Sequence, residues 1–308
     1  MRKDKLIMDE QKKKVRRLLK ERNAIMLAHN YQPPEIQEVA DLCGDSLELS
    51  RKAAKTDAEI ILFCGVHFMA ETASILSPDK TVLLPRLDAG CPMADMITAK
   101  DLEHKLKELP PMPVVTYVNS TADVKALSTI CCTSANAVQI VNSLNVPEVL
   151  MIPDRNLARY TAARTKKKVH YWNGYCPIHD RLKPKELQKA KNNHPDALFM
   201  AHPECRPEIL EMADAILSTS GMLKFAGESD RRSFIVGTEI GILYPLKKSC
   251  PGKNFFPASE TMVCPNMKKM TLTDIIRSLE HLEGVVKVDE KIRLPALEAV
   301  RRMIELSI

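Results

Sequence analysis

Short apolar runs, each solid rather than alternating, recur along the chain: residues 24–28 (AIMLA), 60–64 (IILFC), 81–84, 114–118, 126–132, 149–152, 169–172, 197–201, 213–217, 233–236 and 254–256, with a further short run leading to Ser46. A run of this length with no polar face is the pattern of a parallel strand covered on both sides. Between the runs lie stretches whose apolar positions fall at helical spacing, at 34–40, 47–55, 68–76, 99–109, 137–144, 184–192 and 272–282. A longer basic segment, 8–22, carries Met8, Val15, Leu18 and Leu19 on one stripe and predicts a packing helix. Strands and helices in alternation predict an α/β protein with parallel sheets layered between helices.

Laid against itself, the chain shows a repeat. Three of the runs end in a polar triplet: His29-Asn30-Tyr31, Tyr117-Val118-Asn119 and His202-Pro203-Glu204. A small hydroxyl, Ser46, Ser134 or Thr219, stands 17 residues past the head of each triplet. A Cys-Pro pair then follows each head by 62, 59 and 62 residues, at Cys91, Cys176 and Cys264. A fourth pair, Cys250-Pro251, fits no such spacing. A unit of about 85 residues present three times predicts three four-stranded α/β/α domains around a pseudo-threefold axis. The implied boundaries are an N-terminal helix over 1–23, repeats over 24–111, 112–194 and 195–284, and an extension over 285–308, a strand and a helix docking on the other repeats.

Composition narrows the function classes. A chain of 308 residues that is 45% hydrophobic can bury a large core. A net charge of +6 is too dilute for nucleic acid and suits small anions. The N-terminus is charged rather than apolar, and the longest apolar run, 60–70, is too short for a membrane span, so neither a secretory leader nor membrane attachment is expected. Nine cysteines without a leader point to a reducing cytoplasm and to thiols used as ligands, nucleophiles or packing groups.

Ligands of parallel sheets collect beyond the carboxyl ends of the strands, where all the repeated features lie. Side chains at i and i+2 of an extended segment share a face, so His29 with Tyr31, Tyr117 with Asn119, and His202 with Glu204 are expected to point together toward the axis. Hydroxyls just ahead of helices either cap them or bind a carboxylate or phosphate, and three in register favour anion binding. Three thiols brought together favour a metal. Zinc held with His179 or His202 is one solution, and an iron–sulfur cluster with an open iron is the other.

The segments Ala28-His-Asn-Tyr31, Cys91-Pro-Met-Ala-Asp95, Cys176-Pro-Ile-His179, His202-Pro-Glu-Cys205, Ser218-Thr-Ser-Gly221 and Val236-Gly-Thr-Glu239, spread over 24–284, resemble the quinolinate synthase family. The resemblance implies a cytoplasmic enzyme of NAD biosynthesis that condenses iminoaspartate with dihydroxyacetone phosphate, losing phosphate and water. It implies one [4Fe-4S] cluster per chain on Cys91, Cys176 and Cys264, with one open iron, and an L-aspartate oxidase or dehydrogenase supplying the iminoaspartate. The family's substrate contacts fall on His29, Tyr31, Ser46, Tyr117, Asn119, Ser134, His202, Glu204 and Thr219, with Val118 and Pro203 inside the same triplets. Glu204 and His202 are the acid–base candidates, with Tyr31 and His29 serving the triose. Met267 stands where some members carry a further cysteine, so no second redox pair is expected there. Two other readings remain at this stage: an open-cluster hydro-lyase acting on a small dicarboxylate, and a non-catalytic cluster or zinc protein. The second has no use for His, Tyr, Asn and Glu gathered at three strand ends.

Overall fold

The computed structural model describes residues 2–306. Among these residues, twelve strands form three separate four-stranded sheets. The first contains β1 (Ala24–His29), β2 (Leu42–Gly44), β3 (Ile60–Cys64) and β4 (Thr81–Leu83). The second contains β5 (Val114–Tyr117), β6 (Ile130–Cys132), β7 (Glu148–Ile152) and β8 (Lys168–Tyr171). The third contains β9 (Leu198–Ala201), β10 (Ala215–Ile216), β11 (Ser233–Gly237) and β12 (Asn254–Pro257). Each sheet is ordered second-first-third-fourth, and the strand pairs are parallel. The chain therefore reverses its direction of travel between the first and third strands of every sheet, which opens a crevice at their carboxyl ends. The solid apolar runs explain the layering, since β3 is buried at every position. Buried residues from all three sheets, such as Met26, Val115 and Val236, belong to one apolar cluster.

Most expected elements are present within a residue or two, and the exceptions have local causes. The run 126–132 is a strand only over Ile130–Cys132, because Ala122–Ala126 is a helix capped by Thr121, whose hydroxyl accepts from Val124 N–H at 3.5 Å. Helix Arg155–Ala162 was not expected, and Asp154 starts it by accepting from Leu157 N–H at 2.6 Å. The N-terminal helix runs over Arg2–Glu21 and buries Val15, Leu18 and Leu19, whereas Met8 is 39% exposed and lies beyond the packed part of the stripe.

The C-terminal extension makes a single antiparallel bridge, Val285 to Leu83, rather than a strand. Helix Glu290–Glu305 then places Ala296 in a cluster with Ile75 of the first unit and Ala122 of the second, so it spans the two. Residues 307 and 308 of the expected extension lie outside the described residues. Gly284 sets the turn into this segment. Its φ is +82°, and a Cβ there would stand 2.3 Å from Leu84 O, while its own carbonyl accepts from Leu84 N–H at 2.8 Å. Gly284→Ala is therefore expected to destabilise the fold by roughly 2 kcal/mol or more, from the left-handed backbone and the clash together. The midpoint of chemical unfolding checks this.

Candidate active site

The carboxyl ends of the three sheets converge on one cavity of about 300 Å³. His29 and Tyr31, Tyr117 and Asn119, and His202 and Glu204 line it, as do Ser46, Ser134 and Thr219 and all three in-register cysteines. The pairing within each triplet follows strand alternation, and the rings of His29 and Tyr31 meet edge to face at 4.5 Å. Val118 and Pro203, the middle residues, do not line the cavity, and Val118 lies in the apolar core.

Each Cys-Pro pair opens a tight helical turn. The turns are Ala94–Met96, Pro177–Asp180 and Asn266–Lys268. The backbone amides of Ala94 and Met93, of His179 and Ile178, and of Met267 and Asn266 lie near the sulfurs of Cys91, Cys176 and Cys264 respectively and favour the thiolate. Proline costs nothing at the intervening position, where an N–H would lack a helical partner. The three in-register pairs thus each start a turn that brings backbone amides near a thiol. Burial opposes the thiolate charge. It pushes the Cys91 thiol up to about 12 and raises Cys176 and Cys264 as well, with the amides pulling the other way. Thiols so placed take up charge when a cation shares it, and a soft metal is the cation that suits sulfur. None of the other six cysteines lines the cavity. Cys250 ends helix Leu243–Ser249 and is only 6% exposed, so it is a packed thiol.

A continuous chain of side-chain hydrogen bonds crosses the cavity wall. Tyr117 donates to Glu204 Oε1 at 2.6 Å, and His179 Nδ1 stands 2.7 Å from Glu204 Oε2. His179 Nε2 is 2.7 Å from Thr238 Oγ1, which is 2.5 Å from the Tyr31 hydroxyl. A carboxylate only accepts, so the proton on His179 lies at Nδ1, and a ring with one proton accepts from Thr238 at Nε2. Burial alone would raise the pKa of Glu204. His179, His202 and the Tyr117 hydroxyl outweigh it and hold the carboxyl below the usual carboxylate range. Burial lowers His29 and His202 to about 3, so both are neutral at physiological pH. Each accepts a backbone N–H at Nδ1, from Tyr31 at 3.2 Å and from Glu204 at 3.4 Å, which leaves the proton on Nε2. The Nε2–H of His202 meets Ser134 Oγ at 3.2 Å. His179 Nδ1 also lies 3.1 Å from Cys176 Sγ, and Cys176, His179 and Glu204 bring donor atoms close enough to share a metal ion, which keeps a site with His179 among the metal chemistries the cavity allows.

The in-register hydroxyls are not helix caps. Asp45 caps helix Ser46–Lys55, and Ser218 caps Thr219–Glu228. Ser46 and Thr219 are the first helical residues, and Ser134 sits in a turn closed by Asn136 Oδ1 accepting from Thr133 N–H at 2.6 Å. Because other groups do the capping, these hydroxyls can serve a ligand. Asn119 Oδ1, on the same wall, is buried without a hydrogen-bond partner among the described residues.

Residues 13–305 match the family model described as Quinolinate synthetase A protein. The chain belongs to that family. It is similar to the quinolinate synthase of Geotalea uraniireducens, with 58% identity over 98% of this chain and 99% of the relative. It also resembles the quinolinate synthase of Thermodesulfovibrio yellowstonii (54%, covering 94% and 96%) and quinolinate synthase 1 of Methanosarcina acetivorans (50%, covering 96% and 97%). Among the described residues, no helix is long and apolar enough to cross a membrane.

For this member of the family, the cavity holds functional groups that the repeat did not point to. His179 and Glu239 line it, with Thr238 behind His179 at 2.7 Å and Lys268 paired to Glu239 at 2.9 Å. His179 was visible as the third residue after Cys176, inside the ligand turn, and Thr238 and Glu239 close the Val236-Gly-Thr-Glu239 segment.

Proposed function

We propose that this chain condenses iminoaspartate with dihydroxyacetone phosphate to quinolinate, releasing phosphate and water, with one [4Fe-4S] cluster on Cys91, Cys176 and Cys264 and one iron open. The observation that carries the reading is the set of three cysteines, one following each sheet, facing a single cavity with Glu204 and Tyr31. The residues fit the cofactor, since three soft donors face the cavity and His202 has both ring nitrogens engaged, by Ser134 and by the Glu204 N–H. When bound, the cluster supplies a Lewis acid that polarises a substrate oxygen or nitrogen and eases loss of water.

The remaining work falls to side chains. The hydroxyls of Ser46, Ser134 and Thr219 and the neutral Nε2–H of His29 hold the carboxylates and the phosphate. Glu204 accepts a proton at Oε2 or Oε1, and its hydrogen-bonded partners His179 and Tyr117 adjust to the change. Tyr31, backed by Thr238 and His179, donates or receives a proton on the triose. A supplier of iminoaspartate, an L-aspartate oxidase or dehydrogenase, and a reducing cytoplasm complete the setting. Anaerobically purified protein is expected to contain iron and sulfide matching one cluster per chain, to form quinolinate from the two substrates, and to change the Mössbauer signal of one iron site when quinolinate is added. Iron-free protein without turnover would overturn the reading.

A further inference from the structure

Two residues past the third strand of each sheet lies a position that faces the ligand turn. In the second and third sheets it is a buried carboxylate: Asp154 after β7, 2% exposed, and Glu239 after β11, 0% exposed. The two make the same pair of bonds. One oxygen caps the helical turn that follows, with Asp154 Oδ1 accepting from Leu157 N–H at 2.6 Å and Glu239 Oε2 from Gly241 N–H at 2.8 Å. The other oxygen crosses to the cysteine. Asp154 Oδ2 accepts the N–H of Cys176 at 3.1 Å, and Glu239 Oε1 accepts that of Cys264 at 3.1 Å. In the first sheet the same position is Val66, which has no acceptor. There the link is main chain to main chain, His67 N–H to Ala89 O at 2.8 Å, two residues short of Cys91.

A carboxylate is an electrostatically poor neighbour for a thiolate. Its value here is geometric. The residue after each cysteine is proline and has no N–H, so the amide of the cysteine itself is the one main-chain donor at the start of the turn. A carboxylate with its second oxygen fixed on a helix start holds that amide in place. We propose that Asp154 and Glu239 are positioning residues that fix the Cys176 and Cys264 turns for the cofactor, while the Cys91 turn has no such carboxylate and is tied by main chain and by Trp172 Nε1–H donating to Met96 O at 2.8 Å. The inference rests on the cluster reading above.

The test compares wild type with Asp154→Asn, Asp154→Ser and Glu239→Gln. Serine keeps a good helix cap at 154 but cannot reach Cys176 as well, so it guards against a folding failure. Cluster loss to a ferrous chelator is followed anaerobically, and alkylation of each thiol is mapped by mass spectrometry. The variants are expected to lose the cluster roughly tenfold faster, the scale of one lost buried hydrogen bond. Alkylation is expected to quicken at Cys176 alone in the Asp154 variants and at Cys264 alone in Glu239→Gln, with Cys91 unchanged. Unchanged release and alkylation, or equal acceleration at all three thiols, would overturn the proposal. A wild-type protein that takes up no cluster would sink the cluster reading instead, and the alkylation pattern would still judge the two carboxylates.

Discussion

Cys91→Ser, Cys176→Ser and Cys264→Ser are each expected to abolish the iron–sulfur cluster. Each cysteine comes from a different sheet and sits in its own turn, so no neighbouring sulfur can slide into the gap. A serine hydroxyl is a harder, less acidic donor, and a cluster left on two thiolates is poorly held. Cluster content per chain is expected to fall on the order of tenfold or more in each case. Serine at Cys43, Cys64, Cys131, Cys132, Cys205 or Cys250 is expected to leave the iron in place, because those thiols line the core and not the cavity. Iron and sulfide analysis of the nine variants decides the matter. A Cys250 variant that lost iron while a Cys264 variant kept it would refute the assignment.

Glu204→Gln is expected to fold, keep its cluster and bind substrate, with turnover down by about a hundredfold or more, the usual scale for a lost acid–base group. The carboxylate accepts from both Tyr117 and His179. Glutamine offers one carbonyl oxygen, so one of those donors must face an amide N–H instead. The change therefore removes the proton acceptor and breaks the chain toward Thr238 and Tyr31 at the same time. Single-turnover product formation measures it against intact substrate binding, and near-normal turnover would remove Glu204 from the mechanism.

The sequence made legible whatever was repeated. Solid apolar runs gave the strands, and equal spacings of triplet, hydroxyl and Cys-Pro placed twelve side chains around one cavity. The groups it hid are those that break the threefold pattern. The position of His179 is filled by Ala94 and Met267 in the other two turns, so no self-comparison could raise it. Asp154 and Glu239 have Val66 as their counterpart. The strand expected over 126–132, present only over Ile130–Cys132, shows the other limit. Its apolar residues are equally at home in a short helix, and the hydroxyl of Thr121 decides the matter from five residues upstream.

Three sheets of one topology around one cavity bear on symmetry itself. A chain with a single such unit could complete this cavity only as a closed homotrimer, and every wall of that assembly would be identical. Joining the units in one polypeptide removes that constraint. His29, Tyr117 and His202 then occupy one position with different chemistry, and so do Val66, Asp154 and Glu239. Two unlike molecules that must meet in a fixed order and orientation require a cavity whose three sides can be told apart.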